Sequence, residues 1–219
     1  TGCGSGYLHT FSAEFVGDAC SYAGVDLAPA MVELARRTYP DHQFEVMSSS
    51  QLAFPDRGFD VVLNGASLMH TIEFEKAIRE AARVASDFAI FHTVTVLDAP
   101  ENLYFTKNGY GSPVVEVCFS ESVLADLLAA NNLQPVLVER SIDYDLGQVF
   151  GPSTRSLSIA CLQHDPLATD GADGRNHYCA YFDSNYLARA TPMGEVIKRH
   201  YPLARFHLLS LDMTAENYL

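Results

Sequence analysis

No stretch of this chain is apolar over the roughly 18 to 20 residues that a membrane-spanning helix needs. The best run, residues 88–97, is interrupted by His92 and two threonines. No basic-then-apolar signal segment opens the chain either. Paired cysteines are lacking too. Cys3, Cys20, Cys118, Cys161 and Cys179 are scattered with no C-x-x-C spacing. That pattern signals neither a zinc knuckle nor a disulfide framework, so no metal is expected and the reducing cytoplasm is the expected compartment. Positive charge is scarce: 14 Lys and Arg stand against 27 Asp and Glu, a net charge of −13. Nucleic-acid backbones and anionic membranes recruit basic patches, so neither is expected as the main partner. Small anionic ligands remain open, because backbone amides bind those.

The rest of the composition is that of a globular chain, with 48% hydrophobic and 19% charged residues. Its 219 residues are enough for one ordinary domain and part of another. Both ends read as cut. A glycine-rich turn such as Thr1-Gly2-Cys3-Gly4-Ser5-Gly6 normally follows a buried strand, yet here it opens the chain without an initiator Met. A fragment truncated on both sides is therefore expected.

Strand and helix patterns alternate along the first 164 residues. Residues 22–26 read as a strand ending in an acid, and residues 30–39 as a helix with Met31, Leu34, Ala35 and Thr38 on one face, stopped by Pro40. Further strands are expected at 43–47, 59–64 and within 87–97, with a helix over 73–84 that turns Phe74, Ala77, Ile78 and Ala81 inward. Residues 98–119, with Pro, Asn, Gly and two tyrosines, read as a looser stretch. Ser120 caps a helix through Asn132 with Val123, Leu124, Leu127 and Leu128 inward, and strands follow at 134–144 and 154–163. This rhythm predicts an α/β fold: a Rossmann-like, doubly wound sheet whose first strand is truncated, closed by an antiparallel hairpin.

Residues 165–176 change character. The run DPLATDGADGRN is rich in Asp, Gly and Ala and reads as a linker. A strand pattern at 177–182, a helix and a strand at 206–211 then restart the rhythm, which predicts a βαβ piece of a second α/β domain over 177–219.

Gly2, Gly4 and Gly6 allow a tight turn and close approach of a ligand to the amides. Tyr7 stands where the dinucleotide pattern needs a third glycine, which weakens an NAD-dependent oxidoreductase. Asp26, twenty residues past Gly6 at a strand end, can accept both hydroxyls of a ribose. The plainer alternative is an ordinary turn, with Asp26 capping the helix that starts near Ala28.

These residues resemble the motifs of class I S-adenosylmethionine-dependent methyltransferases over residues 1–97. TGCGSG is similar to the first motif and YAGVDLAPAMVELAR to the second, with Asp26 as the ribose-binding acid. FEVMSSSQLAFPDRGFDVVLN resembles the third and fourth. The resemblance implies S-adenosylmethionine as cofactor, held by Gly2, Cys3, Gly4, Gly6, Asp26, Leu27, Ser48, Ser49 and Asn64. Ser48 stands where that family commonly has an Asp for the adenine amino group, and Ser49 or Ser50 can substitute. Residues 88–135 are similar to a group of methyltransferases associated with bacterial surface-glycan synthesis, implying a small-molecule or glycan acceptor. Residues 177–211 resemble the opening of a GT-A-type glycosyltransferase, implying a nucleotide-sugar near Tyr181 and Asp183. Methyl transfer from a sulfonium is an in-line displacement, and a hydroxyl or amine acceptor calls for a base. His70, His92 and Tyr110 are the candidates. A binding module that keeps the fold without transfer stays open beside the enzyme.

Overall fold

The computed structural model describes residues 3–6, 21–109, 111–163 and 207–210. Its core is a mixed sheet. Strand β1 (Ser21–Asp26) leads into helix α1 (Pro29–Thr38), then β2 (Gln43–Val46) and β3 (Phe59–Gly65). A single 3-10 turn (Leu68–His70) precedes α2 (Phe74–Val84), which runs directly into the long β4 (Ala85–Leu97). Then come β5 (Leu103–Gly109), β6 (Ser112–Ser120), α3 (Glu121–Ala130), β7 (Leu133–Arg140), the short α4 (Gly147–Phe150), β8 (Thr154–Gln163) and β9 (His207–Ser210).

The strand order is β2-β1-β9-β3-β4-β6-β5, with β8 also on β4 and β7 outside β8. The strands from β2 to β4 are parallel, whereas β8 is antiparallel to β4 and β7 to β8. This is the doubly wound α/β sheet closed by an antiparallel hairpin that the alternating pattern predicts. β9 lies between β1 and β3, pairing Ser21 with His207 and Val61 with Leu208. The sequence pattern assigns this strand to a second domain; here it fills the centre of the sheet. The expected linker at 165–176, the strand and helix expected after it, and the nucleotide-sugar contacts Tyr181 and Asp183 lie outside the described residues.

Local chemistry explains the boundaries. Pro29 opens α1 at a position where its missing N–H costs nothing, and the helix ends just before Pro40. Its buried residues are Val32 and Ala35, while Thr38 is exposed, so the buried stripe is rotated from the one the spacing suggests. In α2 the expected stripe of Phe74, Ala77, Ile78 and Ala81 is buried, joined by Ala82 and Val84. Ser120 caps α3 by accepting from the Val123 N–H, and its hydroxyl donates to Ala99 O at 2.6 Å. Leu124 and Leu128 face the core from α3, whereas Val123 is exposed.

The largest departure lies in residues 98–119, expected as a loose stretch. They form the β5–β6 hairpin, paired from Leu103–Cys118 to Gly109–Ser112. β5 alternates half-buried and exposed residues, the period of an edge strand with one wet face. β6 runs parallel to β4 through Val96–Phe119 and Leu97–Ser120, beyond the point where β3 stops at Gly65–His92. The change of partner coincides with a register shift on the β8 side between Phe91 and Val94, and with Thr93 at φ 55°. A β-branched residue there is strained, and the strain sits where β4 exchanges neighbours.

Candidate functional site

The site gathers at the carboxyl ends of β1, β2 and β3, where doubly wound sheets bind their ligands. A cavity of about 470 Å³ opens there. One side is Asp26 and Leu27, following β1. A second is Ser48, Ser49 and Ser50, following β2. The third comes from the segment after β3 and includes Ser67, His70, Ile72 and Glu73.

The glycine turn lies against the β1 side of this site. Cys3 N donates to Val25 O at 3.0 Å, and Gly6 N closes the turn onto Cys3 O at 2.9 Å. Gly6 has φ 79°, and a Cβ on it would lie 2.7 Å from the Phe44 ring and 3.0 Å from the Ala35 Cβ. Glycine is required here on both counts. Asp26 is 5% exposed and serves the backbone on both sides. Its Oδ2 accepts from Gly4 N at 3.0 Å and its Oδ1 from Ala28 N at 2.8 Å. The second bond makes an Asx-type turn ahead of α1, whose N-cap Ala28 receives no side-chain cap, so Asp26 steadies the helix entrance without capping the helix. This role does not compete with ribose binding, because a carboxylate has about four acceptor positions.

Ser48 Oγ bonds Ser50 Oγ at 2.8 Å, and Ser50 Oγ donates to Glu73 Oε2 at 2.9 Å, so Glu73 joins two walls of the cavity. The Glu73 carboxyl is held below the usual glutamate range by Lys76, then by Ser50. Asn64 is 2% exposed, and its Oδ1 accepts from Ser67 Oγ at 3.0 Å. It supports the third wall from behind and does not line the cavity. Cys3 is buried in the turn, with its thiol toward Gly4 O.

The structure separates the two histidines. His70 lines the cavity, and its Nδ1 donates to Val115 O of β6 at 3.1 Å. The carbonyl can only accept, so the neutral ring carries its proton on Nδ1 and its basic lone pair on Nε2. Burial pushes the His70 pKa below the ordinary value. Val115 O and Glu116 oppose that shift, and Lys107 adds to it. Lys107 forms an ion pair with the buried Glu116 on the neighbouring strand. His92 is a core residue, 4% exposed, with Nδ1 2.6 Å from Ser158 Oγ; burial pushes its pKa down to about 4. It is not placed to act on an acceptor. Gly2 and Tyr110 lie outside the described residues.

The sequence reading missed Ser67, Thr71, Ile72 and Glu73 as cavity residues. The available signal was positional: they follow a strand that ends beside the β1 end. Among the described residues, no group of three or more His, Cys, Asp or Glu could hold a metal ion, and no helix is long and apolar enough to cross a membrane.

Comparison with known proteins fits this geometry. Residues 1–91 match the family model described as a methyltransferase domain. No curated protein matches the chain. Among solved structures, the chain is similar to a SAM-dependent methyltransferase from Methanosarcina mazei at 18% identity and TM-score 0.55, covering 74% of this chain and 89% of that one. It is similar to a geranyl diphosphate methyltransferase in complex with SAM at 16% identity and TM-score 0.57, covering 75% and 76%. A third relative by shape is the [4+2]-cyclase SpnF, at 17% identity and TM-score 0.54, covering 72% of each chain. These likenesses establish a Rossmann-like fold of the class I methyltransferase type. The sequence match likens residues 1–91 to a methyltransferase domain, which makes S-adenosylmethionine the cofactor to test against the site. The residues present fit that group: a turn that admits no side chain at Gly6, a strand-end carboxylate, and a cavity bounded by Leu27 and the serines.

Proposed function

We propose that the chain transfers a methyl group from S-adenosylmethionine to a small-molecule or glycan acceptor, with His70 as the base. The observation that carries this reading is that His70 lines the same cavity as Asp26. Bound S-adenosylmethionine supplies an electrophilic methyl group on a sulfonium. Asp26 accepts from the ribose hydroxyls, Leu27 and the serines bound the adenine side, and the glycine turn admits the amino-acid end. His70 is neutral at pH 7, because burial lowers its pKa, and Nε2 accepts the proton of the acceptor hydroxyl or amine. The similarity of residues 88–135 to glycan-associated methyltransferases supports a glycan acceptor in bacterial surface-polysaccharide synthesis. The resemblance of residues 177–211 is the ground for a fused glycosyltransferase taking a nucleotide-sugar, and the pairing of His207–Ser210 with β1 and β3 speaks against it.

The test is calorimetry with S-adenosylmethionine, followed by methyl transfer from labelled cofactor to a panel of glycans and small hydroxyl and amine acceptors. Cofactor binding with transfer that His70→Phe abolishes supports the reading. Tight binding with no transfer to any acceptor favours a non-catalytic binding module, and preference for NADH over S-adenosylmethionine overturns the cofactor assignment.

A further inference from the structure

Residues 48–50 supply one wall of the cavity, and the segment 48–56 that carries them contains no regular strand or helix, only the isolated Ser48–Gln51 bridge. A binding wall built on a turn keeps its geometry only if something rigid grips it. Helix α2 does so at two heights. At its start, Glu73 accepts from Ser50 Oγ. At its end, Arg83 donates through Nη2 to Leu52 O at 2.9 Å and through Nη1 to Phe54 O at 2.8 Å and Asp56 Oδ1 at 2.7 Å.

The guanidinium is itself fixed one turn earlier. Its Nε and Nη2 donate to the two oxygens of Glu80, both at 2.8 Å. Glu80 Oε2 also accepts from Leu52 N at 2.7 Å. Leu52 is thus held at both its N–H and its C=O by one Arg–Glu pair. The far face of α2 is anchored in the core through Ile78, Ala81 and Ala82, so the grip is referred to the sheet.

We propose that Arg83 is a positioning residue for the cofactor cavity: with Glu80 it sets where the serine wall of residues 48–50 stands relative to Asp26. The inference rests on the S-adenosylmethionine reading of that cavity. The planar fork matters more than the charge, because five acceptor atoms on four residues are met by one rigid group. An ammonium at the same place is a single point with three donors.

The experiment compares wild type, Arg83→Lys and Glu80→Gln in the full chain. Affinity for S-adenosylmethionine and its demethylated product is read by calorimetry, and amide hydrogen exchange is read along the chain. Arg83→Lys is expected to weaken both ligands about tenfold. Exchange is expected to quicken in residues 48–56 while α2 and β3 stay at wild-type rates, and saturating ligand should restore the protection. Glu80→Gln, which keeps shape and one acceptor, is expected to show a smaller change in the same direction and carries the test if Arg83→Lys does not fold. Faster exchange in residues 48–56 with ligand affinity unchanged reduces the pair to a structural tie and overturns the proposal. Unchanged exchange overturns it as well. A wild type that binds neither ligand overturns the cofactor reading itself, and with it the ligand half of this inference.

Discussion

The Asp26 carboxylate accepts from the Gly4 amide at 3.0 Å, joining the glycine turn to the end of β1 across 22 residues of chain. Its other oxygen holds the Ala28 amide at the entrance to α1. One buried side chain thus fixes the turn, the strand end and the helix start around the proposed cofactor position.

Asp26→Ala should therefore lose both architecture and ligand contacts. Cofactor affinity is expected to fall by about 1.5 to 3 kcal/mol, the scale of charge-assisted hydrogen bonds. Stability should fall by about 1 to 2 kcal/mol through the two lost bonds to the Gly4 and Ala28 amides. Calorimetry and urea unfolding read the two separately, and equal affinity in both proteins would sink the ribose role.

Gly6→Ala puts a methyl group 2.7 Å from the Phe44 ring at a backbone φ of 79°. Overpacking and left-handed strain together are expected to cost about 2 to 4 kcal/mol. Phe44→Leu in the same chain should recover the steric part and leave the backbone part. Urea midpoints of the single and double variants check this; no recovery would place the cost in the backbone and the Ala35 contact.

His92 makes the fold acid-sensitive. The unfolded imidazole binds a proton below about pH 6.5, whereas the folded one stays neutral until about pH 4. Between those values the unfolded state binds more protons, so stability falls as pH falls. The loss at pH 4.5 is roughly 2 to 3 kcal/mol relative to pH 7. His92→Asn should remove that slope, although it also changes the contact with Ser158. Urea unfolding of both proteins at pH 7, 5.5 and 4.5 measures it, and parallel pH profiles would refute the assignment.

Asp60 acts in the opposite sense. Burial, then the neighbouring Asp87, raise its pKa to about 7. The folded carboxyl keeps its proton where the unfolded one has lost it, so its contribution is full below about pH 4 and is lost as pH rises through 7. Asp60→Asn should raise the melting temperature most at pH 8 and progressively less as pH falls toward 4. An equal shift at both values would show that ionisation of Asp60 is not responsible.

Much of this arrangement could be read from residue spacing. The glycines, the strand-end acid and the alternating strand and helix patterns are local signals, and the sheet built from β1 to β4 follows them. The β5–β6 hairpin was not legible, because Asn102, Asn108 and Pro113 mimic loop chemistry while the pairing that overrides them is tertiary. The α1 stripe was misread since Met31 and Val32 are both apolar, and only contact with the sheet selects Val32. The two histidines look alike in sequence. They differ because His92 lies inside a strand flanked on both sides, whereas His70 follows one that has just ended. Glu73, Glu80 and Arg83 fall outside the apolar stripe of residues 73–84, and their hold on residues 48–56 depends on a loop path that no periodicity encodes.

The way β6 continues alongside β4 where β3 leaves off bears on how an acceptor comes and goes. The hairpin that carries Val115 is stitched into the central ladder at Val96–Phe119 and Leu97–Ser120, and Ser120 ties it again to Ala99 O and to the Asn102 side chain. Swinging it aside would break these bonds together and release the His70 ring from Val115 O. It therefore behaves as a fixed wall and not as a door. Among the described residues, the exposed rim of the cavity is set by Leu27 and Ile72, and the imidazole keeps its aim from one visitor to the next.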